Sequence, residues 1–149
     1  MGGADGEAWM ATLQSRTLSV SIDAPFEAAY AFAHRPENFP RWAAGLSTSL
    51  HETERGWVAD TPAGEALVVF SAPNPYGVLD HHVRLAGKPE VYIPLRMVRN
   101  GDGVEVSLLL LRQPGMTDAM FEDDARRVAE DLQALKALLE GGGGAAVEL

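Results

Sequence analysis

The chain has 149 residues, of which 46% are hydrophobic and 22% charged, and its net charge is −9. This length suits one globular domain with a single core, and the acidic balance disfavours binding to nucleic acid or to anionic membranes. The sequence has no cysteine, which excludes disulfides, thiolate catalysis and cysteine-ligated zinc. It also lacks an apolar run long enough to span a membrane, and its first ten residues lack the regions of a secretory signal. We therefore expect a cytoplasmic protein without membrane insertion.

One strand and two short helices are predicted first. Residues 16–23 alternate strictly between apolar and polar side chains, which is typical of a half-buried strand. Pro25 is then expected near the start of a helix, because proline is tolerated at the first helical position. A second short helix is predicted over residues 37–44, and it carries Phe39 and Trp42.

Six short strand-like runs follow, separated by turn signals rich in glycine, proline and asparagine. The connections between them are too short for parallel crossovers, so the pattern predicts an antiparallel meander. The runs cover residues 45–53, 56–60, 64–71, 78–85, 91–99 and 103–112.

A long helix is predicted to close the domain, with Thr117 as its N-cap. Apolar residues recur along it at helical spacing and form one stripe, as in a helix that lies on a sheet. The stripe comprises Phe121, Ala125, Val128, Leu132, Leu135 and Leu139. We interpret the acidic residues at 122–124 and 130–131 as a solvated helix face.

These elements predict an α+β helix-grip fold, in which a seven-stranded antiparallel curved sheet wraps around the long C-terminal helix. Three stretches, Val20–Tyr30, Asn38–Trp42 and Gly115–Leu139, resemble the START-like or Bet v 1-like superfamily. This is the SRPBCC group, which includes polyketide cyclase/dehydrase-type proteins. The resemblance covers about residues 16–140 and implies the fold more than an activity, since binders, carriers, cyclases and cochaperones share it.

The domain organisation follows from the same pattern. We expect a flexible N-terminal arm over residues 1–15, the START-like domain over 16–140, and a disordered glycine-rich tail over 141–149.

Two neighbouring histidines, His81 and His82, raise the question of a metal or catalytic site. On a strand, adjacent side chains point to opposite faces, so the pair cannot bind one metal ion, and no metal site is expected. His82 is expected on the outer face, in a surface row with Asp80 and Arg84. His81 is expected on the apolar face, either as a core histidine with a hydrogen-bond partner or as a polar group that lines a cavity. Burial there would lower its pKa.

Arg96 is a second polar candidate. Strict alternation over residues 91–99 places it on the outer face, but Pro94 cannot donate to a ladder and indicates an edge or a bulge. A bulge would reverse the alternation beyond it, and Arg96 could then point inward as an anchor for an acidic ligand group.

Four further residues are candidates for the wall of a pocket, although core packing is the more usual explanation for them: Phe39, Trp42, Met97 and Phe121.

We therefore expect binding of a small, largely hydrophobic molecule, such as a lipid, between the sheet and the C-terminal helix. No cofactor is expected, because the sequence has no glycine-rich phosphate loop. One alternative is a cyclase or dehydratase that acts on a polyketide-like substrate, with His81 as the acid or base and the single catalytic candidate. Another is a protein-binding adaptor without a cavity, in which Leu109 and Leu111 form an exposed apolar pair that could also support a homodimer.

Overall fold

The computed structural model describes residues 11–43 and 49–141. The predicted arm falls mostly outside the described residues, as do nearly all of the predicted tail and the beginning of the predicted strand 45–53. The elements are β1 (Ser15–Ile22), α1 (Phe26–Ala33), a 3-10 helix (Pro36–Arg41), β2 (His51–Thr53), β3 (Gly56–Thr61), β4 (Gly64–Phe70), β5 (His81–Leu85), β6 (Val91–Ile93), β7 (Leu95–Asn100), β8 (Gly103–Leu111) and α2 (Asp118–Glu140).

The strands form two antiparallel sheets, with the orders β1-β8-β7 and β2-β3-β4-β5-β6. The predicted α+β helix-grip class is confirmed, but the described part of the chain has eight strands in two sheets instead of seven in one. Pro94 causes most of this difference, because it divides the predicted strand 91–99 into β6 and β7. β6 pairs with β5, whereas β7 pairs with β8, so the chain passes from one sheet to the other at this proline.

Backbone hydrogen bonds join the two sheets around this strand crossover. The N–H of Leu79 donates to the carbonyl of Leu95 over 2.8 Å, and the N–H of Leu109 donates to the carbonyl of Pro94 over 3.0 Å. The two sheets therefore meet edge to edge at Pro94.

Helix α2 begins as predicted, since the side chain of its N-cap Thr117 accepts a hydrogen bond from the N–H of Met120 over 3.1 Å. It lies along β1: the side chain of Arg16 pairs with Glu122 over 2.8 Å, and Lys136 Nζ donates to the carbonyl of Ser21 over 2.7 Å. The predicted apolar stripe is buried against the sheet, except that Val128 is half-buried. Within the described ranges, no helix combines the length and apolarity needed to cross a lipid bilayer.

The two short helices contribute aromatic side chains to the core. The second of them is a 3-10 helix that ends at Arg41, earlier than the predicted residue 44. Phe39 and Trp42 are nonetheless both buried, with 5% and 4% of their surface exposed. This short segment brings two large rings up to the inner face of β5.

Candidate ligand-binding site

An open cavity of about 260 Å³ lies between the sheets, the 3-10 helix and the middle of α2. Strands β6 and β8 provide one wall and α2 provides the facing wall. The side chains that dominate these walls are aliphatic: Val91, Ile93, Leu108, Leu110, Val128 and Leu132. The gap is therefore an apolar space at the interface between sheet and helix.

One end of the cavity is aromatic. The ring of Phe39 packs edge-on against three other rings, with centroid distances of 5.2 Å to Trp42, 5.2 Å to His81 and 5.3 Å to Phe70. Phe39, Trp42 and His81 all line the cavity. The structure thus brings together three of the six predicted site residues.

His81 confirms the prediction that the two neighbouring histidines point to opposite faces. It is 4% exposed, whereas the side chain of His82 is 37% exposed. Its Nδ1 lies 3.2 Å from the carbonyl oxygen of Leu79, which can only accept, so Nδ1 carries the proton and donates. Burial lowers the pKa of His81, while the hydrogen bond to Leu79 and the charge of Asp80 raise it less. The ring is therefore neutral at neutral pH, and Nε2 has a free lone pair.

Both interpretations of His81 hold in part. One ring nitrogen has the backbone partner that a core histidine needs. The other, Nε2, has no hydrogen-bond partner within residues 11–43 and 49–141, and the ring borders the cavity.

Trp42 adds a feature that sequence reasoning missed. Its indole Nε1 is buried and has no hydrogen-bond partner among the described residues. Buried N–H groups normally have one, so this donor is unusual. Trp42 was predicted as a cavity residue for its ring, but an unpartnered N–H depends on its three-dimensional surroundings and has no signal in the sequence.

A second, much smaller cavity of about 10 Å³ adjoins the aromatic end. Phe39, Trp42 and His81 line it too, together with Ser71 and others. This space is close to the least that a single water molecule requires, roughly 10 to 15 Å³.

The rim of the cavity on α2 is charged. Asp124, Arg127 and Asp131 contribute to it, and the guanidinium of Arg127 pairs with Asp123 over 2.9 Å. Burial raises the pKa of Asp124, although the nearby Arg127 opposes this. With two aspartates and one arginine, the rim presents more negative than positive charge to an entering molecule.

Among the described residues, no three His, Cys, Asp or Glu side chains are arranged to hold a metal ion.

The inward orientation suggested for Arg96 is wrong. Its side chain is 51% exposed and lies on the outer face, where Nε and Nη2 each donate to a carboxylate oxygen of Asp80 over 2.8 Å. Pro94 interrupts the ladder without reversing the alternation, since Leu95 and Met97 remain on the buried face. Arg96 is therefore not an anchor inside the cavity.

Asp80 also accepts hydrogen bonds from the hydroxyl of Tyr92 over 2.8 Å and from the N–H of Leu95 over 2.9 Å. Its pKa is lowered to about 2, chiefly by the hydrogen bonds from Arg96 and against the effect of burial. His82 lies on the outer face with Asp80 and Arg84, as expected, but its own contacts are with other residues: it stacks on Tyr92 with a centroid distance of 4.9 Å and lies 3.6 Å from Glu90.

The remaining candidates belong to the core or to the rim of the cavity. Met97 and Phe121 are 0% and 2% exposed and are outside the cavity lining, so the core interpretation applies to both. Leu109 and Leu111 are half-buried and border the cavity, and the exposed pair expected on the outer face is not observed.

No family model matches the chain, and no curated protein matches it. Solved structures do. XoxI from Bacillus cereus has a TM-score of 0.68 at 14% identity, over 85% of this chain and 96% of that one. CalU16 from Micromonospora echinospora has a TM-score of 0.60 at 17% identity, over 91% and 83%. Ara h 8.0201 has a TM-score of 0.60 at 11% identity, over 85% and 97%. The chain has the SRPBCC, Bet v 1-like fold, as the resemblance in its sequence implies.

Proposed function

We propose that the protein binds one small, largely hydrophobic molecule in the cavity between its sheets and α2. The observation that carries this proposal is the cavity of about 260 Å³ with mainly aliphatic and aromatic walls. Ligand sites are typically apolar clefts with a few polar groups, of roughly 300 to 1,000 Å³. The volume lies just below that range, which suits a molecule of one or two rings or a short chain.

The polar groups of the cavity also support binding. His81 places a neutral ring at the aromatic end, and the charged groups lie on the wall formed by α2. Such a distribution orients a molecule that has one polar end and an apolar body. Because this fold serves many activities, binding is inferred from the cavity and not from the fold.

Catalysis by His81 has weaker support. A general acid or base is usually positioned by a partner that stabilises its charged form. Here Nδ1 of His81 donates to the backbone carbonyl of Leu79, and the neighbouring carboxylate of Asp80 is held by Arg96 on the other face. The adaptor alternative loses the exposed pair on which it depended, since Leu109 and Leu111 are half-buried.

Binding can be tested by fluorescence titration with N-phenyl-1-naphthylamine, a neutral apolar probe that brightens on leaving water. We expect saturable binding to the native protein. In the Val128→Trp variant the new ring would occupy the cavity, because Val128 lines it, and we expect affinity to fall by about tenfold or more.

Met120→Trp provides the matched control. Met120 lies on the same helix but is 52% exposed and outside the cavity lining, so this variant should bind as the native protein does. Far-ultraviolet circular dichroism would confirm that both variants are folded. Absence of saturable binding to the native protein, or equal affinity in the Val128→Trp variant, would refute the proposal.

A further inference from the structure

Two polar atoms at the aromatic end of the cavity have no hydrogen-bond partner in the described part of the chain. They are Nε1 of Trp42, a donor, and Nε2 of His81, an acceptor. Both side chains are 4% exposed, and both line the large cavity and the small one beside it. Of the two atoms, Nε1 of Trp42 is the one buried without a partner, which is unfavourable. A molecule bound at this end of the cavity would satisfy it and would also cover Nε2 of His81.

Their positions and chemical roles restrict that species. The ring of Phe39 packs edge-on against both side chains, with its centroid 5.2 Å from each of the two rings. The indole N–H can only donate. Nε2 of His81 can only accept, because the carbonyl of Leu79 holds the ring proton on Nδ1. The bound group must therefore accept one hydrogen bond and donate another within a small volume.

Common polar groups differ in how well they meet this requirement. A hydroxyl both accepts and donates. A ketone or an ether could accept from Trp42 but would leave His81 unsatisfied. A carboxylate lacks a proton to donate, and it would also enter past Asp124 and Asp131 in a protein of net charge −9.

We propose that the ligand carries an alcohol or phenol hydroxyl, which accepts a hydrogen bond from the indole N–H of Trp42 and donates one to Nε2 of His81. This inference rests on the proposed function and specifies the class of molecule: a neutral, hydroxylated hydrophobic compound. A buried water molecule has the same hydrogen-bonding chemistry and is the competing source, so the experiment must separate the two.

Four matched probes, tested on the native protein alone, separate a ligand hydroxyl from a buried water molecule. They are 2-naphthol, 2-methoxynaphthalene, naphthalene and 2-naphthoate, and the binding of each is measured by competition with N-phenyl-1-naphthylamine. The methoxy compound keeps the acceptor and loses the donor. We expect 2-naphthol to bind about five to ten times more tightly than 2-methoxynaphthalene, with naphthalene weaker still and 2-naphthoate weakest.

Two variants assign the hydrogen bonds. His81→Phe keeps an aromatic ring but removes Nε2, so it should abolish the preference of 2-naphthol over 2-methoxynaphthalene. Trp42→Phe removes the indole N–H, so it should weaken both oxygen-containing probes relative to naphthalene and leave their order intact. Because the native comparison needs no variant, misfolding of either one does not prevent the test.

The outcomes distinguish the proposed function, ligand binding, from the inference that the ligand carries a hydroxyl. If 2-naphthol and naphthalene bind equally well to the native protein, ligand binding stands, but a water molecule satisfies the polar pair and the hydroxyl inference is overturned. Tighter binding of 2-naphthoate would also overturn it. If none of the four probes competes and N-phenyl-1-naphthylamine itself does not bind, the proposed function fails and this inference fails with it.

Discussion

The carboxylate of Asp80 holds the strand crossover together, because it accepts hydrogen bonds from residues on both sides of Pro94. Tyr92 precedes the proline and Arg96 follows it, and both donate to this one side chain. The side chain of Asp80 is 13% exposed, so its charge is shielded from water more than that of an ordinary surface acid.

We expect Asp80→Asn to lower the free energy of unfolding at pH 7 by about 1 to 2 kcal/mol. The folded-state pKa is about 2, below the ordinary value of 3.8, and half-exposure of Arg96 limits the effect. Since the pKa is depressed in the folded state, the stabilisation is complete above about pH 4 and is lost as pH falls toward about 2. Urea unfolding of both proteins across this range would measure it.

Glu27→Gln is the matched control for this experiment. Glu27 also pairs with an arginine, Arg99, over 2.9 Å, but both side chains are largely exposed. Exposed pairs contribute little to stability, so no measurable change is expected. A loss in the control as large as that in Asp80→Asn would argue against a special role for Asp80.

His81 predicts a dependence of stability on pH in a less acidic part of the range. Burial lowers its folded-state pKa, so below an unfolded pKa of about 6.5 the unfolded chain binds the proton first and stability falls as pH falls. The native protein should therefore lose stability between about pH 7 and pH 5 more steeply than His81→Phe, by at most about 1.4 kcal/mol per pH unit. Parallel curves from urea unfolding would contradict this prediction.

At the level of elements, the parts of the fold that local pattern determines were predicted well. The alternation of residues 16–23 matches β1, in which Val20 and Ile22 are buried, and the apolar stripe matches α2. Both patterns repeat over several turns or residue pairs, so they indicate a buried face without knowledge of the partner. The alternation of side chains along a strand, which placed His81 on the inner face, is a signal of the same kind.

The parts that depend on non-local pairing were not predicted. Pro94 was correctly predicted to interrupt the strand over residues 91–99, but the sequence around it shows only that one hydrogen bond of the ladder is missing. It does not show that β6 and β7 join different sheets. Strict alternation alone placed Arg96 on the outer face, as observed, but only the pairing across Pro94 excludes a bulge that would turn it inward. Its partner Asp80 lies 16 residues earlier in the chain. The unpartnered N–H of Trp42 likewise depends on what surrounds it in space.

The strand crossover at Pro94 requires a glycine at position 77, next to β7. Its φ is +74°, its carbonyl accepts from the N–H of Met97 over 2.9 Å, and a Cβ on it would collide with the carbonyl oxygen of Met97. We expect Gly77→Ala to lower the free energy of unfolding by about 3 kcal/mol or more, since left-handed strain and overpacking add. Thermal or urea unfolding would measure the loss.

Gly87 supplies the control, because its φ of +77° is nearly the same and a Cβ on it would meet no other atom within 4 Å. Gly87→Ala should lose about 1 to 2 kcal/mol, from backbone strain alone. Equal losses in the two variants would show that close approach to β7 does not matter at Gly77.

At the level of the whole molecule, the five-stranded sheet meets the main buried cluster through Phe70 of β4 and Ile93 of β6, which pack against it. Buried residues from β1, α1, the 3-10 helix, β7, β8 and α2 form one cluster, and Leu79 links this cluster to the start of β5. The cavity lies beside this cluster, where α2 faces β6 and β8. Its walls are therefore set by the packing of the same elements that stabilise the fold.

This arrangement predicts that the domain unfolds as one cooperative unit. Leu135 on α2 is fully buried in the shared cluster, and Leu135→Ala should cost about 2 to 5 kcal/mol. Urea unfolding followed by circular dichroism and by tryptophan fluorescence, to which Trp57 on β3 contributes, should give coincident transitions in the native protein and the variant. Leu138→Ala, at a half-buried site on the same helix, should lose less than half as much. Separate transitions would mean that the five-stranded sheet is stable without α2, and the cavity wall on α2 could then open while β3 to β5 remain folded.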